Sequence, residues 1–160
     1  MVTWADLHAA APDLAAAGRR LIYRGDAGEA LLATVRGDEP PRLHPIKVGI
    51  FDDRLYAFIG RSPKRRDLAE DGRYALHTLL DPDVPREFAV RGRATLIDAP
   101  EVRSPLVQQW FFEVDDTYDL FELSIESALL GLRDDADEWP PRYTSWSAPG
   151  RRDERHRRLR

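Results

Sequence analysis

The chain contains no cysteine, which excludes disulfides, thiolate-ligated metals and a thiol nucleophile together. It has one methionine, and only two lysines against 22 arginines. No apolar run approaches the roughly 20 residues that cross a bilayer as a helix. The N-terminus, with Trp4, Asp6 and His8, lacks a basic segment followed by an apolar core. No secretory signal is therefore expected, and the cytoplasm is the expected compartment. Internal repeats and low-complexity linkers are also missing. His44 and His77 fall on separate expected strands without a matched carboxylate spacing, which makes no metal site. Each is read as a packed or hydrogen-bonded imidazole. The acidic pairs Asp115-Asp116 and Asp134-Asp135 read as loop charges.

What is present is an ordinary globular composition. Of 160 residues, 42% are apolar and 32% charged, which fits one domain over residues 1–150. The net charge of −4 is unevenly distributed: residues 151–160 hold six arginines and two acids, so the rest carries −8. Such a tail can attract phosphates, but no aromatic residue interleaves with its arginines for base stacking. It reads as a solvated basic terminus, and nucleic acid is not an expected partner.

Helical signals open the chain from Thr3, an N-cap, to about Arg20, with a break at Pro12. Strand signals follow: Leu31 to Val35, Arg42 to Phe51, Arg54 to Ile59 after a tight Asp52-Asp53 turn, and Arg73 to Leu80. Pro63 to Asp71 fits a short helix capped by Ser62, with proline at the position that loses no intrahelical bond. Glu87 to Ile97 is a long strand with Phe88, Val90, Ala94 and Leu96 on one face, bent at Gly92. Pro100 to Phe112 reads as a helix. From Leu120, Phe121, Leu123 and Ile125 alternate inward with Glu122, Ser124 and Glu126 outward. A last extended piece spans Arg142 to Ser147, where Tyr143 and Trp146 are candidates for covering a pocket. Turns near residues 38 and 52 leave no room for crossover helices. The expected fold is mainly β: a six-stranded antiparallel, closed or partly closed barrel with peripheral helices.

Both lysines fall between Arg42 and Lys64, where two extended apolar runs meet cations and a hydroxyl at a helix start. That combination can hold a phosphate at one end and a flat apolar ring along the strands. Arg42 and Lys47 are five residues apart, so a regular strand puts them on opposite faces, and Pro45 calls for an edge or a bulge.

Over residues 20 to about 130 the chain resembles the pyridoxamine 5′-phosphate oxidase-like, FMN-binding split-barrel superfamily. Three segments carry the likeness. They are Pro41-Arg-Leu-His-Pro-Ile-Lys47 after a Leu-Ala-Thr-Val strand, Leu55-Tyr-Ala-Phe-Ile59 with Ser62-Pro-Lys64, and Glu87-Phe-Ala-Val-Arg-Gly-Arg-Ala94. The resemblance implies a homodimeric flavin oxidoreductase with FMN in a cleft between subunits. It lays Arg42, His44, Pro45, Ile46 and Lys47 along the flavin, Arg42 nearest the phosphate. Phe58 and Ile59 would run beside the ring, and Ser62, Lys64 and Arg65 would complete the phosphate site. Two departures stand out. Pro63 replaces the arginine usual between the family's serine and lysine, and Glu154-Arg-His-Arg-Arg158 does not match the substrate-holding terminus of the vitamin B6 oxidases. Related groups bind the deazaflavin F420 or haem, so an F420-dependent reductase and a non-catalytic flavin or haem carrier are the alternatives.

Overall fold

A computed structural model describes residues 1–150; the arginine-rich terminus expected to be a solvated tail lies outside them. Two helices open the chain, α1 (Trp4–Ala10) and α2 (Pro12–Ile22). Thr3 and Asp6 form a reciprocal capping box, and Pro12 starts the second helix without losing a bond. Eight strands follow with two further helices: β1 (Gly28–Thr34), β2 (Arg42–Phe51), β3 (Arg54–Ile59), α3 (Pro63–Glu70), β4 (Arg73–Thr78), β5 (Glu87–Ile97), α4 (Pro100–Gln109), β6 (Asp119–Leu123), β7 (Ser127–Leu132) and β8 (Arg142–Ser147).

Six strands close an antiparallel barrel in the order β4-β1-β2-β3-β6-β5, sealed by pairing of β5 with β4. Its interior is filled by alternate residues of each wall, among them Leu32, Val48, Ile50, Leu55, Leu76, Val90 and Phe121. Helices α1 and α2 add Trp4, Leu7, Leu14 and Ile22 to this core, with the Trp4 ring edge-on to Phe88 at 5.8 Å. A second apolar cluster lies outside the barrel, where Leu106, Trp110 and Val114 cover Tyr56, Phe58 and Leu120. Strand β3 is thus buried on both faces.

The barrel is not uniform. β5 is long enough to serve two partners, pairing with β7 through Glu87–Arg91 and with β6 through Ala94–Ile97. Gly92 marks the change, and a Cβ there would sit 1.8 Å from the Ser124 carbonyl oxygen. Strands β7 and β8 extend the sheet beyond the closed ring. β7 was not expected from the sequence: Ser-Ala-Leu-Leu-Gly-Leu lacks polar alternation because Leu129 lies on a second apolar face. Two further expectations are corrected. Leu96 keeps the parity of Val90 and stands opposite Phe121, yet it is 47% exposed. β4 pairs with β5 only as far as Arg93, so the strand overhangs the ring. Glu122 and Ser124, expected outward toward solvent, are buried, and Glu122 is held there by Arg54 at 2.6 Å.

The opening in the wall lies between consecutive strands. β2 pairs with β3 only at Gly49–Tyr56, Ile50–Leu55 and Phe51–Arg54. Beyond Gly49 the strands diverge: β2 continues along β1 and β3 along β6. No helix among the described residues is long and apolar enough to cross a membrane.

Candidate functional site

Where β2 and β3 part, a cavity of about 280 Å³ forms, lined by Pro45, Ile46, Lys47, Phe58, Ile59, Gly60, Arg61, Ser62, Lys64, Phe112 and Tyr118. Its two long sides are strand edges with no strand partner across the gap, so their backbone N–H and C=O groups face open space. Pro45, which cannot donate, sits on such an edge, as its chemistry requires. A smaller hollow of about 240 Å³, sharing Pro45, Ile46 and Lys47, continues past them toward Glu29 and Leu79.

One end of the cavity is the start of α3. Ser62 caps it: its Oγ accepts from the Arg65 N–H at 3.3 Å and donates to the Gly60 carbonyl at 3.0 Å. Pro63 occupies the first helical position, and the Lys64 N–H precedes the intrahelical ladder. The far wall comes from Phe112 and Tyr118, neither of them a sequence-nominated site residue; α4 ends at Gln109, short of the expected Phe112. The Tyr118 ring packs on Gly60, where an added Cβ would lie 3.3 Å away, and Phe112 stands against Tyr118 at 5.5 Å. The pairing of β6 with β3 brings Tyr118 there from nearly sixty residues away. The only signal in the sequence was the aromatic run at Trp110-Phe111-Phe112.

The sequence-nominated residues therefore fall into two groups. Pro45, Ile46, Lys47, Phe58, Ile59, Ser62 and Lys64 gather around this cavity, whereas Arg42, His44 and Arg65 do not line it. Arg42 bonds Asp67 at 3.1 Å and Glu39 at 3.2 Å. Asp67, on α3, is 1% exposed and also accepts from Thr34 at 2.8 Å. Lys47 lies on the opposite face of β2 from Arg42, as their spacing requires, and pairs with Glu29 directly across on β1. Arg65 donates to the Thr117 carbonyl at 2.9 Å and faces Asp119 at 3.4 Å, so it braces the segment that carries Tyr118. His44 keeps Nε2 buried with no partner among the described residues. Burial, with the Lys64 and Arg42 charges nearby, holds its pKa below the ordinary imidazole value.

Arg61 and Lys64 are different. Neither makes an ion pair or hydrogen bond with any described residue, and both line the cavity on either side of Ser62. The arrangement can take an anion at the helix end and a flat molecule with polar edges between the strands. His77 bonds the Thr78 carbonyl at 2.7 Å and Glu87 at 3.3 Å. Trp146 lines a separate groove of about 600 Å³ on the outer sheet face.

No protein-family model matches the chain, and no curated protein matches it by sequence. Solved structures do match in fold. A provisionally assigned pyridoxamine 5′-phosphate oxidase from Listeria innocua is 16% identical with a TM-score of 0.55, the match covering 69% of this chain and 91% of that one. General stress protein 26 of Bacillus anthracis is 18% identical with a TM-score of 0.56, covering 81% and 98%. HutZ, the haem storage protein of Vibrio cholerae, is 13% identical with a TM-score of 0.55, covering 72% and 89%. At these identities the likeness is one of fold: the chain shares the split-barrel fold of these structures.

Proposed function

We propose that this chain binds FMN in the cleft between β2 and β3 and acts as a flavin-dependent oxidoreductase, with a second copy of the chain closing the cleft's open side. The observation that carries the reading is a slot between unpaired strand edges that ends at two uncompensated cations, Arg61 and Lys64. A flavin ring is a flat apolar body with polar edge atoms, and FMN ends in a phosphate near −2. The backbone groups of Lys47 and Phe58, which the ladder alternation turns toward the gap, suit the first, and Lys64 with the helix start suits the second. When bound, the flavin supplies hydride or electron transfer. The chain's own share is to hold the phosphate, to present strand edges to the ring and, through Phe112 and Tyr118, to wall off water.

The charges around the cleft favour FMN over F420. Arg42, Lys47, Arg65 and Arg66 are each matched by an acid: Asp67, Glu29, Asp119 and Glu70. The described residues near α3 therefore offer no free basic track for a longer anionic tail.

The homodimer is supported by the outer face of the sheet. Leu31, Ala33, Leu43, Ala75, Ala89 and Leu129 share one face across five strands, with Leu43 64% and Leu129 36% exposed. His77 and Arg91 share this face, so it is a mixed surface whose exposed leucines suit an interface between copies. Leu31 pairs with Pro45, so the face runs up to the rim of the cleft.

Titration of the purified protein with FMN, followed by quenching of flavin fluorescence, should saturate. Lys64→Ala should weaken binding by about 1.5–3 kcal/mol, the worth of a charge-assisted bond. Reduction of the bound flavin by NAD(P)H without oxygen then tests the oxidoreductase reading. A Soret shift on adding haemin, with no uptake of FMN, would overturn it.

A further inference from the structure

We propose that Arg61, and not Arg42, is the second cation at the anion-binding end of the cleft, paired with Lys64; this rests on the flavin reading above. The assignment follows from where the neighbouring charges are already spent. Arg42 is one of the groups satisfying Asp67, a carboxylate with almost no solvent access. If Arg42 swung toward a ligand, Asp67 would keep Thr34 and only a distant Arg36, whose Nε is 4.0 Å away. A buried carboxylate stripped of its cation is costly, so Arg42 serves as a strut between β2 and α3. Arg65 is committed to Thr117 and Asp119, and Arg66 to Glu70.

Arg61 has no such engagement among the described residues and lines the cavity two residues from where Pro63 leaves the helix start without a charge. The cation missing at position 63 is thus supplied from the other side of Ser62. Together Arg61 and Lys64 bring +2 to a group near −2. Arginine adds a planar fork that bonds two phosphate oxygens in parallel, where a lysine acts as a point charge.

The test compares FMN with riboflavin, which has the same ring and no phosphate, so the dissociation constant of riboflavin divided by that of FMN isolates the phosphate contacts. Using the full chain and fluorescence quenching, Arg61→Gln should lower that ratio roughly ten- to hundredfold. Riboflavin affinity should stay unchanged, and Arg61→Lys should recover part of the loss. Arg42→Gln should lower the melting temperature and leave the ratio intact. An unchanged ratio in Arg61→Gln, or a collapsed ratio in an Arg42→Gln protein that melts normally, would overturn the assignment while leaving the flavin reading standing. Failure of the wild-type chain to bind either flavin would remove both.

Discussion

His44 illustrates how a single side chain records its surroundings. Its folded pKa lies below the ordinary 6.5, first because it is desolvated and then because Lys64 and Arg42 repel a third positive charge. A depressed folded value means that the fold prefers the neutral ring. The associated stability is complete above about pH 6.5 and is lost as pH falls through the folded value. Denaturant unfolding should therefore show stability declining on acidification from near neutrality, and His44→Gln should flatten that part of the curve. An identical pH profile in the variant would mean that other groups set it. The sequence placed His44 on β2, as observed. It did not show that Nε2 is left without a partner among the described residues. Arg42 shows the same limit. Its charge was visible, but its buried acidic partner sits 25 residues away on another element.

At the scale of elements, local chemistry was highly legible. β2, β3, β5 and β8 begin and end where proline, glycine and acidic turns punctuate apolar runs. The tightest of these turns, Asp52-Asp53, holds both residues at positive φ, 47° and 54°. This is the left-handed geometry of a two-residue hairpin, which favours glycine at its second position. Asp53→Gly should raise stability by about 0.5–1 kcal/mol by removing a left-handed Cβ, seen as a melting temperature higher by about 1–4 °C. A lowered melting point would show that the Asp53 side chain contributes something its geometry does not reveal. Elements were missed where burial blurred the pattern. β7 is apolar on both faces, one in the core and the other on the open sheet, so the alternation that marks a half-buried strand never appears.

For the whole molecule, the outer sheet face carries the strongest expectation. Leu43 is exposed in the single chain, so Leu43→Glu should cost the isolated barrel little while placing a charge on the proposed interface, at its β2 edge. Light scattering should report a particle of two chains for the wild type and one for the variant, with weaker FMN binding in the latter. A wild-type protein that runs as one chain would remove the homodimer from the proposal. The antiparallel barrel was legible from turn spacing alone. The cleft was legible only in part: the strands and helix start that form two of its sides are contiguous in sequence. The Phe112 and Tyr118 wall is assembled by strand order, which residue patterns do not encode.

The parting of β2 from β3 so soon after their hairpin gives the molecule something like the jaws of a calliper, pinned at one end. Small changes at the pin are magnified at the tips, Ile46 and Phe58, by simple leverage. An extra residue inserted beside Asp52, far from anything a ligand touches, would splay or skew the gap. The spacing of Ile46 from Phe58 is thus set in part at a turn that does not line the cavity.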